Sequence, residues 1–132
     1  MHLSFSRAWA RLLTTSLLAI VLTSCGGSKS AFTQSGQGSY YADKFNGRPT
    51  ASGTLYRPGK LTAVHNTLPF GTKIRVTNTR TGRSVKVVVN DRGPHTKGRI
   101  VDVSKRAARK LGLIDAGVIP VQLKVVRAAA RH

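Results

Sequence analysis

The chain of 132 residues has room for one domain of ordinary size, so its length excludes two domains that each bury a large core. It contains 22 lysines and arginines but only four aspartates and no glutamate, which gives a formal net charge of +18. This charge favours an anionic partner, and a surface that merely keeps the protein soluble is the alternative. The single cysteine excludes an internal disulfide.

The first 24 residues have the composition of a secretory signal peptide. Arg7 and Arg11 precede an apolar run at residues 12–22, and small residues follow it. The run is shorter than the roughly 20 residues that a transmembrane helix needs, so a permanent span is not expected. Export removes nucleic acid as the expected anionic partner and leaves cell-wall carboxylates, envelope phosphates and lipid headgroups.

The sequence Leu-Thr-Ser-Cys at residues 22–25 resembles the bacterial lipoprotein box, in which the cysteine is lipidated and becomes the first mature residue. The resemblance implies that Cys25 anchors the protein to a membrane of the cell envelope, facing the periplasm. An ordinary signal peptide followed by a free thiol is the alternative. Residues 25–37 are small and polar, which predicts a flexible tether.

From residue 38 onward, short apolar segments alternate with a period of two, which is the pattern of β-strands. Strands are expected at residues 38–41, 61–65, 73–78, 83–90 and 120–127. The sequence Thr-Arg-Thr-Gly between the third and fourth segments predicts a hairpin in which Gly82 adopts a positive φ.

One helix is predicted over residues 105–111, because Ser104 can serve as its N-cap and Gly112 can end it. Short strands with a single helix favour a closed or nearly closed small β-barrel. The barrel domain is expected to cover residues 38–127, followed by a tail at residues 128–132.

Three segments carry a resemblance to a known family. They are Arg-Pro-Thr-Ala-Ser-Gly at residues 48–53, Leu-Thr-Ala-Val-His-Asn-Thr-Leu-Pro-Phe-Gly at residues 61–71, and Val-Asn-Asp-Arg-Gly-Pro at residues 89–94, followed by Gly-Arg-Ile-Val-Asp-Val-Ser at residues 98–104. In these segments the chain resembles the rare lipoprotein A family, whose members include lytic transglycosylases. The resemblance implies a mostly β fold, a six-stranded double-psi β-barrel with one short α-helix.

The resemblance implies cleavage of peptidoglycan between N-acetylmuramic acid and N-acetylglucosamine, which leaves 1,6-anhydro ends. Glycan strands are then the partner, no cofactor or metal is expected, and the protein is expected to act as a monomer. In this reaction the 6-hydroxyl of the sugar attacks its own anomeric carbon, so one acid that donates and then accepts a proton suffices. By the resemblance Asp91 is that acid, and His65 orients it through a hydrogen bond. An Asp91 that only binds turn amides is the alternative.

The family's usual glutamate after Ser-Gly is replaced by Thr54. This departure favours a second hypothesis, an expansin-like module that binds or loosens the wall without cutting it. Four residues are expected to contact the substrate: Thr54, Ser52, Tyr40 and Arg92. The aromatic residues Tyr40, Tyr41 and Phe45 stack on a sugar in one interpretation and only pack in the other. Asp102 is expected to be structural, paired with Arg92, with Arg99 or with backbone amides.

Overall fold

The computed structural model describes residues 31–131, which contain six strands and one α-helix. In chain order these are β1 (Thr33–Tyr40), β2 (Thr62–Val64), β3 (Lys73–Asn78), β4 (Ser84–Asp91), β5 (Arg99–Val103), α1 (Lys105–Leu111) and β6 (Ile119–Arg127). One turn of 3-10 helix, Asp43–Phe45, follows β1. The predicted signal peptide and the predicted lipidation site at Cys25 lie outside the described residues.

The six strands of this region close into a barrel in the order β1-β5-β2-β4-β3-β6. Strand β1 pairs with β5 in parallel, as β2 does with β4, and the other four pairs are antiparallel. Closure satisfies the backbone groups that an open sheet would leave unpaired at its edges. The expectation of a mostly β, six-stranded barrel with one short helix is confirmed.

The hydrophobic core fills the inside of the barrel, because the period-two pattern turns alternate apolar side chains inward. The buried strand residues include Ile74, Val76, Val85, Val87, Val89, Val101, Val103, Val121 and Leu123. Helix α1 adds Ala107, Ala108 and Leu111 to this core. The predicted helix ends are confirmed: Ser104 Oγ accepts a hydrogen bond from the Ala107 amide, and Gly112 adopts a φ of 69°.

The barrel domain starts earlier than predicted and contains one strand that the periodicity did not predict. Strand β1 begins at Thr33, which is in register with Lys124 of β6, so the predicted tether at residues 25–37 overlaps the barrel. Strand β5 is absent from the strands expected from periodicity, because only Val101 and Val103 turn inward in its five residues. No helix within residues 31–131 is long and apolar enough to cross a membrane.

Candidate active site

A cleft of about 800 Å³ lies beside β1, β2, β4 and β5, and Val64 of β2 is part of its lining. Val64 is in register with Asp91 of β4 on one side and with Asp102 of β5 on the other. Side chains in register on neighbouring strands project to the same face, so both carboxyl groups flank Val64. Two strand spacings, roughly 10 Å, separate the two aspartate backbones. The two carboxyl groups therefore border the same cleft from opposite sides of Val64.

Gly93 lets the chain that leaves β4 pass close to the centre of the cleft. Its φ is 126°, and a Cβ atom at this position would lie 3.2 Å from Val64 Cγ1. The next residues, Pro94 and His95, also line the cleft. The Asn-Asp-Arg-Gly-Pro segment therefore supplies both an acidic side chain and part of the cleft wall.

The carboxylate of Asp91 accepts three hydrogen bonds. Its Oδ1 atom accepts from the backbone amides of Ala51 and Arg92, each at 2.9 Å, and its Oδ2 atom accepts from the Tyr41 hydroxyl. Asp91 thus lines the cleft, where a catalytic group must lie, and also makes the amide contacts of the structural alternative. The contact with Ala51 holds the loop after the 3-10 helix against the end of β4.

The hydrogen bond from Tyr41 to Asp91 is a site contact that the sequence did not indicate. The Tyr41 ring stacks on Tyr56 with a centroid distance of 4.0 Å, and Phe45 contacts it edge to face at 6.0 Å. Burial and the neighbouring Asp91 carboxylate raise the pKa of the Tyr41 hydroxyl, so this hydroxyl stays protonated and donates to Asp91. The pairing joins residues 50 positions apart, which explains why no local pattern indicated it.

We expect Tyr41→Phe to lower the free energy of unfolding by about 1–2 kcal/mol, because a hydrogen bond to a charged acceptor is lost while the ring stack remains. Urea unfolding followed by circular dichroism measures this change. Tyr40→Phe is the matched control, since the Tyr40 hydroxyl makes only a 3.3 Å contact with the Ile114 carbonyl. Equal losses in the two variants would contradict a distinct contribution from the Tyr41–Asp91 contact.

Asp102 carries the second carboxyl group of the cleft. Its Oδ2 atom accepts from Arg99 Nη2 at 2.9 Å, which confirms the ion pair with Arg99, while its Oδ1 atom is buried and has no partner within residues 31–131. Burial raises the pKa of Asp102, and the Arg99 guanidinium opposes this effect only in part. Because Asp102 lies in the cleft, it can carry a proton for a reaction there, in addition to the structural role predicted for it.

His65 is 2% exposed, and its ring makes no hydrogen bond to Asp91. Its Nδ1 atom accepts from the amides of Thr67 and Leu68 at 3.2 and 3.1 Å, and its Nε2 atom donates to Gln34 Oε1 at 2.9 Å. The predicted orienting hydrogen bond is therefore wrong, because both ring nitrogens are engaged elsewhere. The two residues meet only where the His65 amide donates to the Asp91 carbonyl.

The ionisation of His65 fits this structural arrangement. Burial, with a smaller contribution from the nearby Arg92 guanidinium, lowers the pKa of His65. A neutral ring is also what the hydrogen bonds require, since Nδ1 must be unprotonated to accept from two amides. The ring therefore connects the start of the barrel to the loop that follows β2.

Thr54 and Ser52, which are both predicted to bind substrate, lie in the turn at residues 50–54 and are not part of the cleft lining. Their hydroxyls lie 3.0 Å apart, and each also contacts Thr50 Oγ1, at 3.1 Å from Thr54 and 3.0 Å from Ser52. Only Thr50 among these three lines the cleft. The hydroxyls stabilise the turn that presents the Ala51 amide to Asp91.

The other two predicted substrate contacts, Tyr40 and Arg92, do line the cleft. The Tyr40 ring packs against the core, as in the packing interpretation. The Arg92 guanidinium lies 3.9 Å from the centroid of the Phe70 ring and donates to the His65 carbonyl at 3.2 Å, so it is held by the protein itself. Within residues 31–131 no three histidine, cysteine or acidic side chains lie close enough to bind one metal ion.

Comparison with known sequences identifies relatives of the barrel. A family model described as lytic transglycolase matches residues 33–123. The probable endolytic peptidoglycan transglycosylase RlpA of Nostoc sp. is 56% identical over 93 residues, which cover 69% of this chain and 25% of that protein. The endolytic peptidoglycan transglycosylase RlpA of Pasteurella multocida is 48% identical over 98 residues, covering 74% of this chain and 33% of that protein. The chain thus spans a third or less of these two relatives.

Two solved structures have the same fold. The Streptomyces papain inhibitor superposes with a TM-score of 0.60 at 26% identity, covering 73% of this chain and 96% of that one. The apo expansin of Clavibacter michiganensis superposes with a TM-score of 0.59 at 24% identity, covering 76% of this chain and 53% of that one. At such identities the expansin likeness concerns the barrel alone.

Proposed function

Because this chain belongs to the rare lipoprotein A family of double-psi β-barrel proteins, we propose that it cleaves peptidoglycan glycan strands between N-acetylmuramic acid and N-acetylglucosamine, leaving 1,6-anhydro ends. The observation that carries the proposal is the pair of carboxyl groups flanking Val64 in an open cleft. The volume of about 800 Å³ is within the range of small-molecule binding sites and accommodates a few sugar rings.

The two carboxyl groups have different environments, which suits them to different roles. Burial raises the pKa of Asp102, so we assign it the proton that the departing N-acetylglucosamine oxygen receives as the glycosidic bond breaks. The 6-hydroxyl of the muramic acid residue then bonds to the anomeric carbon, and its proton returns to Asp102. Covalent connection already holds that hydroxyl near the reacting carbon, so no second nucleophile is needed.

Asp91 serves the same reaction without transferring a proton. The amides of Ala51 and Arg92 and the Tyr41 hydroxyl hold its carboxylate in one position on the opposite side of Val64 from Asp102. A fixed negative charge at that position stabilises the positive charge that develops on the sugar ring as the bond breaks. This role replaces the proton donor that the sequence resemblance assigns to Asp91.

The cleft border also suits an anionic polymer. Lys44 and Arg48 line the cleft, and both lie over the ring of Phe45, at 5.4 and 5.8 Å from its centroid. Cations here can attract the carboxylates of peptidoglycan peptides, while the ring offers a surface on which a sugar can pack.

The predicted location remains part of the proposal. The lipoprotein box ending at Cys25 supports lipid attachment to a membrane of the cell envelope, with the barrel facing the periplasm as a monomer. Such an anchor holds the cleft within reach of the cell wall.

The proposal is tested by incubating the full chain with purified glycan strands and analysing the soluble products by mass spectrometry. We expect fragments with 1,6-anhydro ends. The expansin-like alternative, which the absence of a carboxylate in the turn at residues 50–54 favours, predicts binding to insoluble peptidoglycan without new ends. Thr54→Glu adds a second distinction: an expansin-like module should still make no cuts with this substitution, whereas cutting gained only by the variant would identify the natural chain as a degenerate enzyme.

A further inference from the structure

A row of three cations crosses the outer surface of neighbouring strands. Arg75 of β3 is in register with Lys86 of β4 on one side and with Lys124 of β6 on the other. Side chains in register on adjacent strands project to the same side, about 5 Å apart. Lys73 and Arg127, which are in register with each other, lie beside this row. We call these five residues the basic face.

Within residues 31–131, no aspartate forms an ion pair with a residue of the basic face. Asp91 and Asp102 lie in the cleft, Asp43 pairs with Lys105, and Asp115 follows the helix. Neither of the two ion pairs within residues 31–131 includes a residue of the basic face. Like charges directly opposite each other on adjacent strands destabilise a sheet, so the stability of the barrel does not explain the row. An anionic partner outside the molecule does.

The chain enters the barrel at the edge of the basic face. Thr33, the first residue of β1, is in register with Lys124. The sequence before it contains Cys25 and the apolar run at residues 12–22. Cys25 and Thr33 are eight positions apart in sequence, a distance of at most about 29 Å when the chain is fully extended. A membrane that holds the N-terminal segment is therefore within reach of this face.

An exposed apolar side chain adjoins the basic face. Val126 lies on β6 between Lys124 and Arg127 and is 38% exposed. Basic residues beside exposed apolar ones are characteristic of surfaces that bind to anionic lipid headgroups. We propose that the basic face docks on an anionic phospholipid bilayer. This interaction goes beyond the proposed cleavage activity, but it rests on the proposed attachment of the N-terminal segment to a membrane.

Docking would fix the direction in which the cleft opens. In the closed ring of six strands, β3 and β5 are three positions apart and so lie on opposite sides of the barrel. The basic face is centred on β3, and the cleft contains Asp102 of β5. Contact between the basic face and a bilayer therefore turns the cleft toward the space beyond the membrane.

The experiment reconstitutes the full chain into vesicles of phosphatidylcholine alone or mixed with phosphatidylglycerol. The rate of amine labelling at each lysine is then measured by mass spectrometry. We expect labelling of Lys86 and Lys124 to slow severalfold in the anionic vesicles and to recover at high salt. Lys60 and Lys97 are exposed loop residues outside the basic face and should be labelled equally in both vesicles.

Matched variants make the result specific. Lys86→Gln combined with Lys124→Gln should abolish the protection of Lys73 in anionic vesicles, whereas Lys60→Gln combined with Lys97→Gln removes the same charge and should preserve it. Equal labelling of all lysines in the two kinds of vesicle would overturn the proposal. Protection by added double-stranded DNA but not by phosphatidylglycerol would also overturn it, and would identify the basic face as a nucleic-acid surface.

Discussion

Asp102→Asn is expected to slow the release of 1,6-anhydro products by about 10²- to 10⁴-fold, the usual contribution of a positioned proton donor. Asparagine preserves the size of the side chain but has no acidic proton to give. The raised pKa of Asp102 also sets the direction of the pH dependence. As pH rises through that pKa, the carboxyl group loses its proton, so kcat/KM of the parent should fall. The variant should not show this fall in kcat/KM.

Asp115→Asn is the matched control for this substitution, because it removes the same charge from an exposed position outside the cleft. Rates of product release are compared by mass spectrometry after both variants are shown to be folded. Undiminished release by Asp102→Asn, with loss of release in Asp91→Asn, would contradict our assignment. The proton donor would then be Asp91, as the family resemblance implies.

His65→Ala is expected to lower the free energy of unfolding by about 2–4 kcal/mol. The amide of the buried Leu68 and that of Thr67 lose their acceptor, and Gln34 loses its donor. His95→Ala, at an exposed position, should change stability by no more than about 0.5 kcal/mol. Denaturant unfolding measures both variants. A His65→Ala protein that retains full stability but loses activity would contradict the structural role and would indicate that His65 takes part in catalysis.

The same substitution changes the pH dependence of stability. The folded state lowers the pKa of His65, so the unfolded chain binds a proton at this residue more readily. Stability contributed by His65 is present above its ordinary pKa of about 6.5 and declines as pH falls below that value. Unfolding measured across this range should show the decline in the parent and not in His65→Ala.

Features that depend on neighbours in sequence could be predicted. The alternating valines of β4 predict a strand, and Ser104 predicts the start of a helix, each from a few neighbouring residues. Both predictions are confirmed by the structure. Strand β1 shows the limit of this reasoning. Its polar, glycine-containing sequence reads as a tether, and only pairing with β5 and β6 makes it a strand.

The site was predicted in part, for the same reason. The family resemblance identified Asp91, but its partners Tyr41 and Ala51 lie 50 and 40 residues away. The behaviour of Asp102 depends on burial beside the cleft, which no sequence pattern expresses. The partner of His65 is Gln34, in the segment interpreted as a tether, so its structural role could not be seen.

The most direct test is the titration of the Asp102 side chain, followed through its carboxyl carbon by NMR on the labelled protein. The account predicts a midpoint clearly above the ordinary aspartate value of about 3.9, because burial beside the cleft disfavours the charged form. A midpoint at or below that value would contradict the assignment of Asp102 as the group that carries the proton.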